Sequence, residues 1–187
     1  MTDEIITVEG KMMREPARGP EWNPSTDATR TESLRALLDP SIAPLFWRSE
    51  RTGTFSSWWR HVPFGQWLVL QARPRVLVEL GTHAGVSYSA FCEAVLQGGL
   101  DTRCHAVDTW RGDKHSGEYG PDIYEEFRRY HDARFATFST LLRCSFDEAL
   151  GNLPDHSVDL LHIDGLHTYE AASHDFRSWL PKLCWRR

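Results

Sequence analysis

The segment Glu79-Leu-Gly81-Thr82-His83-Ala-Gly85 places an acid and two glycines, four apart, between an apolar strand and an amphipathic helix. Glycines at such a turn let the backbone bend sharply and come close to a ligand, and the helix that follows offers its first amide N–H groups to a nucleotide. The spacing narrows which nucleotide. A dinucleotide fingerprint needs G-x-G-x-x-G, and the position two after Gly81 is His83. Two more acids close apolar runs: Asp108 ends 103–107 and Asp164 ends 158–163. Ligands of an open α/β sheet bind at the carboxyl ends of its strands, so Glu79, Asp108 and Asp164 converge on one crevice. Asp108 lies 27 residues past Gly81, where a carboxylate can accept charge-assisted bonds from ribose hydroxyls. His167 follows Asp164 by three, in the lip of that crevice, where an imidazole can take the proton of a hydroxyl. Asp164 and His167 are also metal donors, but two ligands do not make a metal site.

Alternating strands and helices must carry these groups. The pattern predicts a first strand at 75–80, a helix at 86–97 closed by Gly98-Gly99, and a second strand at 103–107. A polar, aromatic-rich stretch at 109–136 holds a helix from Asp122 to Tyr130, and 110–120 reads as a loop over an acceptor pocket or as solvated surface. A third strand spans 137–143. Ser145-Phe146-Asp-Glu148 is a capping box for a short helix, and a fourth strand covers 158–163. The last helix carries Tyr169, Ala172, Phe176, Trp179, Leu180 and Leu183. The expected fold is a doubly wound, Rossmann-like parallel sheet of order 3-2-1-4 with an N-terminal helical cap. Residues 1–30 read as a flexible arm, 31–74 as the cap, and 75–187 as the ligand-binding domain. A capping box at Thr29-x-x-Glu32 sets the start of the cap near Thr31. Trp47, Trp58, Trp59 and Trp67 sit within it, as packing on the sheet or as an aromatic wall over a substrate pocket.

Composition bounds the function. Among 187 residues, 41% are hydrophobic and 25% charged, near globular averages. A net charge of −5 argues against a general binder of nucleic acid or anionic membrane. The acidic start, Met1-Thr-Asp-Glu, is unlike a signal peptide, and no run approaches the ~20 apolar residues of a membrane span. Four cysteines without a C-x-x-C spacing read as reduced thiols of a cytoplasmic protein.

The run Asp159-Leu-Leu-His-Ile-Asp164-Gly-Leu-His167-Thr-Tyr169, then Asp175-Phe-Arg-Ser-Trp179-Leu-Pro-Lys-Leu183, resembles the class I S-adenosylmethionine-dependent methyltransferases. Within them it is similar to a bacterial group of macrocin and rhamnosyl O-methyltransferases and cephalosporin hydroxylase-like proteins. The resemblance extends through Trp59-Arg-His-Val-Pro-Phe64, the glycine turn, Ala106-Val-Asp-Thr-Trp110 and Ser145–149, and so covers roughly 55–183. It implies O-methylation of a sugar or glycan hydroxyl, with S-adenosylmethionine and a divalent metal such as Mg as the groups bound. Glu79, Gly81, Thr82, His83 and Gly85 would line the methionine end, Asp108 the ribose, and Ser145 and Phe146 the adenine. Asp164 would reach the methionine end or the metal, and His167 the acceptor. The family continues into strands five to seven, whereas this sequence stops at Cys184-Trp-Arg-Arg187. The fourth strand is therefore expected on an open edge, with Phe176 and Trp179 exposed and a homo-oligomer or poor solubility as the consequence. Two alternatives remain: a catalytically silent cofactor-binding fragment and a nicotinamide-dependent oxidoreductase.

Overall fold

In the computed structural model, residues 40–185 are described apart from 52, 55, 114–116 and 119. The arm at 1–30 and the helix start near Thr31 lie outside the described residues. Those that follow belong to one unit, Leu38–Arg187. Among its described residues the cap combines 3-10 turns with an α-helix. Two 3-10 turns, Pro40–Phe46 and Ser57–Arg60, precede one α-helix, α1 (Val62–Ala72). Pro63 suits the first turn of α1, where an N–H has no partner to lose. Arg73 ends it in the left-handed region, with Pro74 behind.

Strand β1 (Val76–Leu80) leads through the glycine turn into α2 (Val86–Gln97), and β2 (Arg103–Asp108) follows. A short antiparallel ribbon, β3 (Gly112–Asp113) with β4 (Gly117–Glu118), occupies the stretch expected to be loop. Helix α3 (Pro121–Arg134) exceeds its expected 122–130 at the C-terminal end, where His131 and Arg134 complement the helix dipole. Then come β5 (Ser139–Arg143), α4 (Phe146–Ala149), β6 (Leu160–Ile163) and α5 (Tyr169–Trp179). The capping box that opens α4 forms as read: Ser145 accepts from the Glu148 N–H, and Glu148 bonds back to Ser145. Helix α5 stops before Leu183 because Pro181 cannot continue it, and a 3-10 turn at Leu180–Lys182 takes over.

All four long strands run parallel in the order β5-β2-β1-β6, the expected 3-2-1-4. Alternation along β1 buries both faces of the sheet. Leu77 points into a cluster with Val69, Tyr88, Phe91, Cys92 and Phe127, and Val78 and Leu80 into another with Val107, Ala149, Val158 and Trp179. The sheet is thus the middle of three layers. Beside the start of β6, Val158 makes a parallel bridge to Leu183, and the Cys184 N–H donates to the Val158 carbonyl at 2.8 Å. Phe176 is 51% exposed, as expected, but Trp179 is fully buried. It sits in the cluster with Val78 and Leu80, whereas β6 at the sheet edge is only half-buried along its length.

Candidate active site

A cavity of about 680 Å³ opens at the carboxyl ends of β1, β2 and β6, within the range of small-molecule sites. Its wall contains Gly81, Thr82, His83, Gly85, Asp108, Ser145, Phe146, Asp164 and His167, nine of the ten residues singled out in the sequence. The tenth, Glu79, is not there. Strand alternation turns Glu79 toward the helix layer, on the side of Leu77, where it is wholly buried and meets His162 Nδ1 at 3.1 Å. Glu79 thus lies beneath the cradle rather than in its wall. The His162 ring packs edge-on against Trp58 and Phe91. Burial works against charge on His162, but the hydrogen bond and charge of Glu79, with Asp164 beyond, win and raise its pKa above the ordinary 6.5.

The glycine turn is shaped by backbone that only glycine can supply. Gly81 (φ +91°) and Gly85 (φ +73°) are left-handed. A Cβ on Gly81 would collide with the Asp164 carbonyl, and one on Gly85 with the Phe127 ring. Between them, His83 is also held at positive φ, as is Trp110 after β2. Such strain persists only where surroundings fix it, and Asp108 fixes both. Its Oδ2 accepts from the His83 N–H at 2.8 Å and its Oδ1 from the Trp110 N–H at 2.7 Å. The buried Trp110 indole closes the stitch by donating to the His83 carbonyl at 2.7 Å. Thr82 Oγ1 is buried in the cavity wall and has no partner among the described residues.

Across the cavity the arrangement is looser. His167 Nε2 lies 3.0 Å from Asp164 Oδ1, with the His167 side chain 73% exposed. Leu166, Ser56, Ser57 and Trp58 complete this side, so part of the cap does face the cavity, and Thr109 and Gly112 bring the stretch after β2 to its rim. Trp59 instead packs in the cap and donates its indole to the Thr54 carbonyl. The donor set does not suit the divalent metal: among the described residues no three His, Cys, Asp or Glu side chains are placed to share one ion.

Two residues that position the site escape a reading by motif. Trp110 was visible as the end of the family-like Ala106–Trp110 segment and the start of the 110–120 stretch, not as a partner of His83. Arg51 carried no signal, because its partners are Ala84 and Glu126, far along the chain.

Comparison with known proteins matches a family model described as a methyltransferase domain over residues 78–184. An uncharacterized protein, y4gI, of Sinorhizobium fredii (strain NBRC 101917 / NGR234) is 49% identical over 156 residues, which cover 83% of this chain and 16% of that protein. The chain thus spans about a sixth of the length of that curated relative. Among solved structures, the SAH-bound Podospora anserina methyltransferase PaMTH1 aligns with TM-score 0.54 at 14% identity, over 95% of this chain and 69% of that one. The O-methyltransferase TomG from Streptomyces achromogenes, involved in tomaymycin synthesis and solved in complex with SAM, aligns with TM-score 0.51 at 17% identity, over 91% and 70%. Those two likenesses are of fold, and they agree with the parallel α/β sheet order. With more than half of its residues inside the family match, the chain belongs to the methyltransferase-domain family.

Proposed function

We propose that this domain is an S-adenosylmethionine-dependent O-methyltransferase acting on a hydroxyl of a sugar or glycan, in keeping with its resemblance to the macrocin and rhamnosyl group. The observation that carries the reading is one cavity that joins the glycine cradle and Asp108 to the Asp164–His167 pair. The residues present fit the cofactor. Gly81 and Gly85 hold the turn tight against Asp164 and Phe127 so that it lines the cavity, Thr82 Oγ1 is an unspent polar group in the wall, and the lining carboxylates suit a cationic sulfonium and amino group. Among the described lining residues no Lys or Arg offers a partner for an anionic acceptor, whereas Ser56, Ser57, Thr109 and His167 suit a neutral polyol.

When bound, S-adenosylmethionine supplies a methyl carbon that the acceptor oxygen attacks as the carbon–sulfur bond breaks toward sulfur. The chain's own residues do the rest. Asp108 holds the cradle and retains lone pairs for the ribose hydroxyls. With its Nε2 proton on Asp164, His167 carries the basic lone pair on Nδ1, which receives the acceptor's hydroxyl proton. Asp164 fixes the ring and stabilises the imidazolium formed. A positioned base of this kind contributes typically ~10²–10⁴-fold.

The test is transfer of a radiolabelled methyl group from S-adenosylmethionine to a panel of deoxyhexosides and short glycans. Label on a sugar oxygen, lost in His167→Ala, supports the reading. Saturable cofactor binding with label on no acceptor would favour a silent binding fragment, and hydride exchange with a nicotinamide would overturn both.

A further inference from the structure

We infer that Arg51 is a positioning residue of the cofactor cradle, clamping the turn after β1 from outside the catalytic layer; this rests on the cofactor reading above. The Arg51 side chain is almost completely buried, and its guanidinium joins three separate parts of the chain. Nε donates to the Ala84 carbonyl at 2.6 Å, in the turn between Gly81 and Gly85. Nη1 and Nη2 reach the two oxygens of Glu126 on α3 at 3.2 and 2.6 Å, a bidentate pair that holds the Glu126 carboxyl below its usual pKa. The same plane lies over Phe127 and Tyr130, with centroids 5.1 and 4.9 Å from its carbon.

Phe127 is the ring against which Gly85 packs with no room for a Cβ. Arg51 therefore grips the cradle twice, through the Ala84 carbonyl and through the ring pressed on Gly85. Ala84 and Gly85 both line the cavity, while Arg51 does not. The strap bearing Arg51 is itself fastened to α2: the Ser49 hydroxyl and the Glu50 N–H both donate to the buried Glu93, at 3.0 and 2.9 Å. Lysine cannot replace this arginine, because a point charge cannot serve a carbonyl and both carboxylate oxygens in one plane.

The experiment compares the wild-type chain with Arg51→Lys and with the gentler Glu126→Gln, which leaves the guanidinium on its rings and cuts the fork. Three readouts are taken: the Kd for S-adenosylhomocysteine, kcat at saturating cofactor, and amide exchange along the chain. Arg51→Lys should raise Kd about tenfold or more, equivalent to about 1.4 kcal/mol, and leave kcat nearly unchanged. Glu126→Gln should do the same to a smaller extent. Exchange should quicken at residues 82–86 in both variants while β5 stays protected. Unchanged exchange at 82–86 and unchanged Kd would overturn the inference, as would an equal quickening in β5, which marks general destabilisation. If the wild-type chain binds no cofactor while Arg51→Lys still loosens residues 82–86, the functional reading fails and the clamp stands.

Discussion

The two sides of the cavity are built differently. On the side of the glycine turn, the strained backbone at Gly81, His83, Gly85 and Trp110 is over-determined by Asp108, the Trp110 indole and Phe127. Each of these is buried, and each touches more than one segment. On the opposite side, His167 meets Asp164 and stands largely in solvent. Under the proposed function, the rigid side would meet the cofactor and the looser lip the acceptor. Preorganisation lowers the ordering cost of a constant ligand, and a loosely held lip can adapt to a variable one. The two sides should therefore fail differently when mutated: the first in stability and cofactor affinity together, the second in rate alone.

The largest effect is expected at Gly81. Gly81→Ala forces a Cβ toward the Asp164 carbonyl in a left-handed residue. The conformation costs about 1–2 kcal/mol and overpacking about 1–3 kcal/mol, so thermal melting should fall sharply and calorimetry should find no cofactor binding. A stable variant that binds normally would break the comparison on its rigid side. His167→Ala should cut methyl transfer by roughly 10²–10⁴-fold and move thermal stability by less than about 0.5 kcal/mol, as exposed substitutions do. Equal losses of rate and stability would return His167 to a structural role.

Asp108→Asn sharpens the contrast. The amide can keep one backbone bond but turns its NH₂ toward the other N–H, losing a charge-assisted bond of about 1.5–3 kcal/mol. Denaturant unfolding should show most of that loss even without ligand, because Asp108 already holds His83 and Trp110. Loss of cofactor affinity with no loss of stability would contradict that holding role.

How far the sequence reveals the site follows the same division. Gly81, Gly85, Asp108, Ser145 and the Asp164–His167 pair were legible as one cavity wall because their placement depends on short spacings and strand ends. Arg51 was not, since its partners lie 33 and 75 residues away and a lone arginine near a tryptophan-rich cap has no spacing to betray it. Glu79 stands apart from that wall for a local reason: alternation from Leu77 points it into the helix layer, where the neighbouring β6 sets His162 opposite it. The sheet order was legible because alternating elements and right-handed crossovers leave few topologies. The buried Trp179 was not, because the cluster that encloses it draws on Val78, Val107, Ala149, Leu153 and Val158, far apart along the chain.

The smallest expected effect is a pH dependence beneath the cavity. The pKa of His162 is raised in the folded chain, against burial, by Glu79. Its stabilisation is then fully present below the unfolded value near 6.5 and lost as pH rises through the higher folded value. Melting curves should show stability declining over that alkaline side of 6.5, and Glu79→Gln should flatten the decline. A wild-type profile that rises there would reverse the assigned charge.

The central claim, that one rigid cradle binds the cofactor and a separate lip serves the acceptor, is tested most directly by calorimetric titration of S-adenosylhomocysteine into three proteins. The account predicts one saturable site in the wild-type chain, the same affinity in His167→Ala, and no binding in Gly81→Ala. No heat of binding in the wild-type chain, or equal losses in both variants, would contradict it.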